Sequence, residues 1–138
     1  MPLAENLAQM LVLIVEDNPA SMLLTDAVLK RAGFLTLGAT CADEVRERLR
    51  DYRPDLILMD LQLPGVDGLT LTRELKSDPS LADIPVVALS AHAMKEDRWR
   101  VLTAGCDGYI AKPFDTRSIG REVEHYIAEA RARGMKRR

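Results

Sequence analysis

The feature that most constrains this chain is a set of four short apolar segments, each of which runs directly into polar side chains. The segment at residues 56–59 is the clearest, because Pro54 lies shortly before it and Pro64 shortly after it. A short apolar segment between turn-forming residues is typical of a buried parallel strand. The polar residues that end the four segments are Glu16 and Asp17, Asp60, Ser90, and Lys112. Because ligands bind at the carboxyl ends of strands in open α/β sheets, we expect these five side chains to share one functional edge.

Five strand segments alternate with five helical segments along the chain. The predicted strands cover residues 11–15, 34–39, 55–59, 85–89 and 107–110, and the predicted helices cover residues 19–32, 41–50, 67–76, 92–104 and 115–132. Asn18 and Thr40 stand where the N-caps of the first two helices are expected. Five strand–helix units in series predict an α/β fold with a doubly wound parallel sheet and helices on both of its faces.

The composition suits one globular domain. The chain has 138 residues and a net charge of −2, which gives it no general attraction to nucleic acid. No apolar stretch approaches the roughly 20 residues that cross a membrane, and the first residues lack the basic start of a signal peptide. We therefore expect a cytoplasmic protein. Cys41 and Cys106 are too few for a disulfide framework and are predicted to be buried thiols.

The chain divides into an N-terminal lead at residues 1–10, a domain at residues 11–130 and a tail at residues 131–138 that carries five basic residues. This tail is typical of a solvated helix end whose cations suit the helix dipole, and the alternative is a contact patch for an acidic partner. The short sequence after the last predicted helix leaves no room for a DNA-binding module, so we expect no attached output domain.

The three strand-end carboxylates need a cation. Glu16, Asp17 and Asp60 would repel one another strongly in a low-dielectric site. Oxygen ligands without histidine or cysteine favour a hard ion, Mg²⁺ before Zn²⁺. Lys112 and the Ser90 hydroxyl can each bind an oxygen of a phosphoryl group, and a carboxylate such as Asp60 can be the nucleophile that accepts it. The set therefore indicates phosphoryl transfer to an aspartate.

These residues resemble the receiver domain of two-component response regulators. The matching segments are LIVEDN at 13–18, DLILMDLQLPGVDG at 55–68, IPVVALSA at 84–91 and GCDGYIAKPF at 105–114, and the resemblance covers about residues 11–128. Each segment alone is unspecific, but their combination in this order is highly specific. The resemblance implies a flavodoxin-like fold with strand order 2-1-3-4-5.

The resemblance also implies roles for individual residues. Asp60 would accept a phosphoryl group from a histidine kinase or a histidine phosphotransfer protein. Asp17, Asp60 and the backbone carbonyl of Gln62 would bind Mg²⁺, with Glu16 acting through water or directly. Lys112 would hold the phosphoryl group. The protein would be a monomer or a weak phosphorylation-dependent dimer that binds a downstream protein.

Further implied roles concern switching and the lifetime of the adduct. Ser90 and Tyr109 would move together on phosphorylation, although Tyr109 could also be an ordinary edge-strand aromatic. The Lys112–Pro113 peptide bond is expected to be cis. Gln62 and His92 would tune dephosphorylation, and the alternative for His92 is a solvated residue at a helix start.

Two helices carry apolar residues that offer partner contacts. In the first helix, Leu24, Val28 and Ala32 are predicted to face inward with Thr25 and Leu29 beside them, whereas Leu23 lies off this stripe and Met22 at its border. In the fourth helix, Met94, Val101 and Leu102 are predicted to form the inner arc. Trp99 lies off that arc, either packed into a neighbouring loop or exposed as a partner anchor.

Two other classes of protein compete with the signalling interpretation. Aspartate-nucleophile phosphatases also use a strand-end aspartate with Mg²⁺, but they carry a second aspartate two residues on, where this chain has Gln62. A flavodoxin-like cofactor binder would need a phosphate-binding loop rich in Gly, Ser and Thr after the first strand, and none is present. A response regulator without an output domain and the receiver of a hybrid kinase would share this sequence pattern.

Overall fold

The computed structural model describes residues 10–63, 67–90 and 95–136. In this part of the chain, five strands form one parallel sheet in the order β2-β1-β3-β4-β5. The strands are β1 (Leu11–Val15), β2 (Leu35–Ala39), β3 (Leu56–Asp60), β4 (Val86–Ser90) and β5 (Gly108–Ala111). The predicted fold class and strand order are confirmed. Asp60 and Ser90 are the last residues of their strands rather than the first residues after them.

Five helices connect and follow these strands in the described ranges: α1 (Pro19–Arg31), α2 (Ala42–Asp51), α3 (Gly68–Ser77), α4 (Lys95–Thr103) and α5 (Ile119–Lys136). Asn18 caps α1 by accepting a hydrogen bond from the Ser21 amide at 3.0 Å. The prediction of Thr40 as the cap of α2 is wrong. Cys41 occupies the cap position, and its side chain forms no capping hydrogen bond. The Thr40 amide and hydroxyl both donate to Glu44 instead.

Both faces of the sheet are covered, which explains the uninterrupted apolar runs in the central strands. Along β3, Ile57 and Met59 point into the core under α2, α3 and α4, whereas Leu56 and Leu58 point into the core under α1 and α5. Every residue of β3 and β4 is buried. The strand-end residues Asp60 and Ser90 are therefore held by the most enclosed part of the molecule.

Three predicted inward positions are wrong, and a fourth, Met94, lies outside the described residues. Leu24 on α1 is 51% exposed, Leu102 on α4 is 61% exposed, and Ala32 at the end of α1 is exposed. The inner face of α1 carries Thr25 and Leu29, which are buried, and α4 turns Val101 inward. Each leucine lies one residue from a buried position, which is about 100° around the helix. Both helices have apolar residues on more than one side, so the spacing alone does not identify the inner face.

The last helix extends into the predicted basic tail. α5 continues to Lys136, and two of its arginines form ion pairs within the chain: Arg131 with Asp55 at 3.2 Å and Arg133 with Asp107 at 2.9 Å.

The two cysteines differ in burial. Cys106 is buried as predicted, but Cys41 is only partly buried. Among the described helices, none combines the length and hydropathy needed to span a lipid bilayer.

Candidate functional site

Four strand ends bring the predicted site residues to one edge of the sheet. Glu16 follows β1, Asp60 ends β3, Ser90 ends β4 and Lys112 follows β5. The strand register aligns Asp60 with Leu89 and Ser90 with Ala111, so neighbouring strands finish at the same level. The sequence separates Glu16 from Lys112 by 96 positions, yet their side chains are in contact.

Lys112 is the cation at the centre of this edge. Its Nζ donates to Glu16 Oε2 at 2.7 Å and lies 3.4 Å from Asp60 Oδ2. Both acids are enclosed, with Glu16 1% exposed and Asp60 5% exposed. Asp17 is exposed, and one oxygen from each of the three carboxylates lies within 4.8 Å of the others. The site thus combines two buried acids, one solvent-facing acid and one amine.

Burial and mutual repulsion perturb the charged groups. The pKa of Glu16 is raised, first by burial and then by its hydrogen bond with Asp60, and the contact with Lys112 offsets this only in part. Burial alone would lower the pKa of Lys112. The hydrogen bond to Glu16 and the charge of Asp60 outweigh that effect, so the pKa of Lys112 lies above its ordinary value. Lys112 therefore remains a cation at neutral pH.

Backbone amides fix the orientation of the two buried carboxylates. Asp60 Oδ1 accepts a hydrogen bond from the Gln62 amide at 3.0 Å, and Glu16 Oε1 accepts one from the Asn18 amide at 3.2 Å. Each acid thus has one oxygen bound to the backbone and the other directed at Lys112. Preorganised dipoles of this kind hold a charged group in place without a reorganisation cost during a reaction.

Gly68 is a site residue that the sequence analysis missed. A Cβ atom at this position would lie 2.6 Å from the carbonyl oxygen of Asp60, so α3 begins in direct contact with the backbone of the central aspartate. Only a glycine permits this approach. The signal in the sequence is the glycine that immediately follows the capping Asp67, whose carboxylate accepts from the Thr70 amide at 2.8 Å.

The chemistry of the donor set fits a hard divalent cation. The three clustered carboxylates offer only oxygen ligands, and the exposed side of Asp17 leaves room for the waters that Mg²⁺ usually retains. Zn²⁺ sites are usually built from histidine and cysteine, and neither residue type belongs to this cluster. The predicted ligand set is therefore compatible with Mg²⁺.

The remaining predicted site residues are distributed around this centre. Ser90 is buried, Tyr109 is half-buried and packs against the core under α2, α3 and α4, and the Lys112–Pro113 peptide bond is cis. Gln62 is exposed. His92 lies outside the described residues. These positions are compatible with the predicted roles but do not test them.

The candidate partner residues differ in accessibility. Leu23 is 71% exposed and Trp99 is 70% exposed, whereas Met22 is partly buried against the core under α1 and α5.

A groove of about 300 Å³ separates α1 from the loop after β5, next to Lys112. Its lining consists of Ser21, Leu24, Thr25, Lys112, Pro113 and Phe114. The exposed Leu24 thus borders the site rather than the core.

Comparison with known proteins identifies the family. The sequence model of the response regulator receiver domain matches residues 12–124. The chain belongs to this family. The receiver domain is the phosphoacceptor module of two-component signalling, and this assignment confirms the resemblance inferred from the four sequence segments.

Individual receiver proteins are similar over almost their whole length. The polar-differentiation response regulator DivK of Brucella anthropi is 41% identical over 119 residues, which are 86% of this chain and 97% of that protein. The receiver domain of a histidine kinase from Syntrophus aciditrophicus is 32% identical with a TM-score of 0.80, covering 88% of this chain and 92% of the other. The receiver domain of a sensor histidine kinase from Pseudomonas aeruginosa is 33% identical with a TM-score of 0.79, and the match covers 86% of this chain and 98% of the other. That structure is described with a magnesium ion coordinated in its active-site cleft.

Proposed function

We propose that this receiver is a response regulator in which Asp60 accepts a phosphoryl group in a Mg²⁺-dependent reaction. The observation that carries the proposal is the contact of one cation, Lys112, with the buried carboxylates of Glu16 and Asp60. An aspartate carboxylate is a competent nucleophile that forms an acyl phosphate. Phosphoryl transfer requires the protein mainly to position the reacting groups and to neutralise their charge, and the groups around Asp60 can do both.

The proposed donor is a phosphohistidine on a histidine kinase or a histidine phosphotransfer protein. A carboxylate oxygen of Asp60 forms a bond to phosphorus while the P–N bond breaks. The electron pair of that bond stays on the imidazole nitrogen, and a ring that carries a proton on its other nitrogen leaves as neutral imidazole. Lys112 and Ser90 donate hydrogen bonds to oxygens of the transferred group.

The metal ligands are proposed to be Asp17, Asp60 and the backbone carbonyl of Gln62, with Glu16 acting through water or directly. The bound Mg²⁺ would neutralise charge between the carboxylates and the phosphoryl oxygens. The magnesium ion described in the Pseudomonas aeruginosa receiver supports this proposal. The 4.8 Å cluster of carboxylate oxygens supports it independently.

The phosphoryl group would act as a switch. Ser90 and Tyr109 would change position with it, and the surface formed by α4, β5 and α5 would then bind a downstream protein. Trp99, which projects from α4 into solvent, would take part in that contact. Gln62 and His92 would set the rate of hydrolysis, so that the adduct decays slowly enough to carry a signal.

A phosphorylation assay tests this function. The protein is incubated with acetyl phosphate and Mg²⁺, and its intact mass is followed over time beside that of Asp60→Asn. We expect one labile phosphoryl adduct on the native chain, none on Asp60→Asn and none when EDTA removes the metal. An adduct of equal yield on Asp60→Asn would contradict the assignment of the phosphoacceptor.

The same samples discriminate the phosphatase alternative. A phosphatase would turn over p-nitrophenyl phosphate continuously, whereas a signalling receiver would release almost no product beyond one equivalent. The presence of Gln62, two residues after Asp60, favours the receiver, because an amide cannot act as the general acid and base that a phosphatase needs. Sustained turnover that is lost in Asp60→Asn would favour the phosphatase.

A further inference from the structure

A second charged cluster lies at the opposite edge of the sheet, where the strands begin. Asp107 directly precedes β5, and its Oδ2 accepts hydrogen bonds from Lys76 Nζ at 2.8 Å and from the Val86 amide at 2.9 Å. Its Oδ1 accepts one from Arg133 Nη2 at 2.9 Å. We call Lys76, Asp107 and Arg133 the basal cluster. It joins the end of α3, the start of β4, the start of β5 and the last turns of α5.

Within the basal cluster, the Lys76–Asp107 pair is well enclosed, whereas Arg133 is 45% exposed. The side chains of Lys76 and Asp107 are 18% and 19% exposed. Lys76 also donates to the carbonyl oxygens of Ala82 and Ile84, which precede β4. Because Lys76 Nζ donates to three acceptors and Asp107 Oδ2 accepts from two donors, the start of β5 is held firmly in its place beside β4.

Helix α5 also contacts β5 by packing. A Cβ atom at Gly108 would lie 2.3 Å from the ring of Tyr126, so this ring rests directly on the strand backbone. Arg131 adds a contact with Asp55, whose other oxygen accepts from the Leu11 amide at the start of β1. The end of α5 is thus tied to the starts of β1, β3 and β5, and a movement of β5 must be shared with it.

Strand β5 is held by ions at both ends. It has four residues, with Asp107 immediately before it and Lys112 immediately after it. Asp107 belongs to the basal cluster, and Lys112 is paired with Glu16 and Asp60. Because β5 has only four residues, a short length of backbone separates Asp107 from Lys112. A displacement of the backbone at Lys112 is therefore opposed by the bonds of Asp107.

We propose that the basal cluster, together with the Arg131–Asp55 pair, is a brake that opposes the rearrangement of β5 when Lys112 turns to a phosphoryl group. This inference rests on the proposed function. A contact that is stronger in one of two conformations lowers the affinity for any ligand that favours the other. Loosening the cluster should therefore tighten the binding of a phosphoryl group at Asp60, although the two sites lie at opposite edges of the sheet.

The test compares binding of beryllofluoride, a phosphoryl analogue that binds carboxylates, to the full chain and to its variants in the presence of Mg²⁺. Binding is followed by fluorine NMR, which reports the bound analogue directly. The double variant Arg131→Ala/Arg133→Ala should bind the analogue about twofold to fivefold more tightly, the range expected for two partly exposed ion pairs. Arg133→Lys, which keeps the charge, should lie close to the native chain.

Arg121→Ala is the matched control, because it removes an exposed arginine of the same helix that pairs with no described residue. Its affinity should equal that of the native chain. At high NaCl concentration the difference between the double variant and the native chain should shrink, because salt screens exposed ion pairs. If the arginines had only a structural role, the double variant would have a lower melting temperature than the native chain but would show no salt-dependent gain in affinity.

Three results would overturn the brake: equal affinity in the double variant and the native chain, weaker binding in the double variant, or the same gain in Arg121→Ala. The failure of the proposed function would look different. In that case the analogue would bind none of the chains in the presence of Mg²⁺, or it would bind Asp60→Asn as well as the native chain.

Discussion

Lys112 allows two acids to be buried side by side. Without a cation nearby, the ionised forms of Glu16 and Asp60 would face both desolvation and mutual repulsion. The raised pKa of Glu16 shows that Lys112 offsets these costs only in part. The carboxylates together with Lys112 therefore retain a net negative charge, which a divalent cation would neutralise.

Removing Lys112 should therefore destabilise the protein in a way that Mg²⁺ relieves. We expect Lys112→Ala to lower the free energy of unfolding by about 1–2 kcal/mol without metal, less than for a fully buried pair because Lys112 is partly exposed. Millimolar Mg²⁺ should restore more stability to Lys112→Ala than to the native chain. Urea unfolding with EDTA or Mg²⁺ measures both effects.

Lys30→Ala serves as the control for this experiment, because Lys30 forms an exposed pair with Asp26 on α1. It should change the stability by less than about 0.5 kcal/mol, with the same response to Mg²⁺ as the native chain. If Mg²⁺ stabilised all three proteins equally, Lys112 and the metal would not share the same carboxylates.

The meeting of Glu16, Asp60 and Lys112 at one edge of the sheet could be predicted from the sequence, because each of them ends or follows an apolar strand. Their individual contacts could not be predicted. The closer approach of Lys112 to Glu16 than to Asp60 depends on side-chain length and on the backbone amides that hold each acid. Gly68 escaped attention because a glycine directly after a helix cap indicates a close approach of some kind but does not identify the backbone of Asp60 as the group approached.

At the scale of elements, α1 and α4 present exposed apolar residues that periodicity did not place correctly. Strands were predicted within one residue at each end because turn-forming residues bound them. The inner faces of the helices were harder to predict, because polar Thr25 occupies an inward position on α1 while Leu23 and Leu24 face outward. An inward hydroxyl breaks the simple rule that apolar residues mark the core side.

The exposed leucines of α1 suggest a test for partner docking. We expect Leu23→Asp to slow phosphoryl transfer from a cognate phosphotransfer protein at least several-fold, because it places a charge where an apolar contact would form. Phosphorylation by acetyl phosphate should be unchanged, since Leu23 does not contact the site. Rates are measured with a radiolabelled donor protein and by intact mass.

Leu35→Asp is a matched control, because Leu35 is 55% exposed on β2, away from the strand ends that carry the site. It should leave both rates unchanged. If Leu23→Asp transferred phosphate from the cognate protein as fast as the native chain, α1 would not be part of the docking surface.

The contact of α5 with β5 leads to a prediction about stability. Gly108→Ala should destabilise the protein by about 1–3 kcal/mol, because a methyl group there would overlap the ring of Tyr126. Gly134→Ala, on α5 like Tyr126 and with open space around it, should instead stabilise the protein by about 0.5–1 kcal/mol. Chemical denaturation of both variants measures the two effects. A neutral Gly108→Ala would mean that Tyr126 moves aside easily.

At the scale of the whole molecule, the strand order could be predicted once the resemblance was identified, but the ion pairs across the base of the sheet could not. Asp55 and Arg131 are 76 positions apart, and charged residues carry no periodic signal that pairs them. The basic tail was therefore interpreted as a solvated helix end or a patch for an acidic partner, whereas Arg131 and Arg133 bind acids of their own chain.

A signal that starts at Asp60 should be detectable on α4. Trp99 is exposed, so its emission should shift when beryllofluoride and Mg²⁺ bind, if the rearrangement of β5 reaches the neighbouring helix. Asp60→Asn should show no shift with the same additions. An unchanged spectrum for the native chain, with the analogue bound by fluorine NMR, would argue that α4 does not respond.

The contact between Glu16 and Lys112 joins residues that are 96 positions apart. During synthesis, the first of these residues leaves the ribosome long before the second. Asp60 would meanwhile lack the amine that is proposed to hold the incoming phosphoryl group. Competence to receive a signal would then arise only after β5 has been made and has taken its place at the edge of the sheet, so a half-made chain could not divert phosphate from the finished protein.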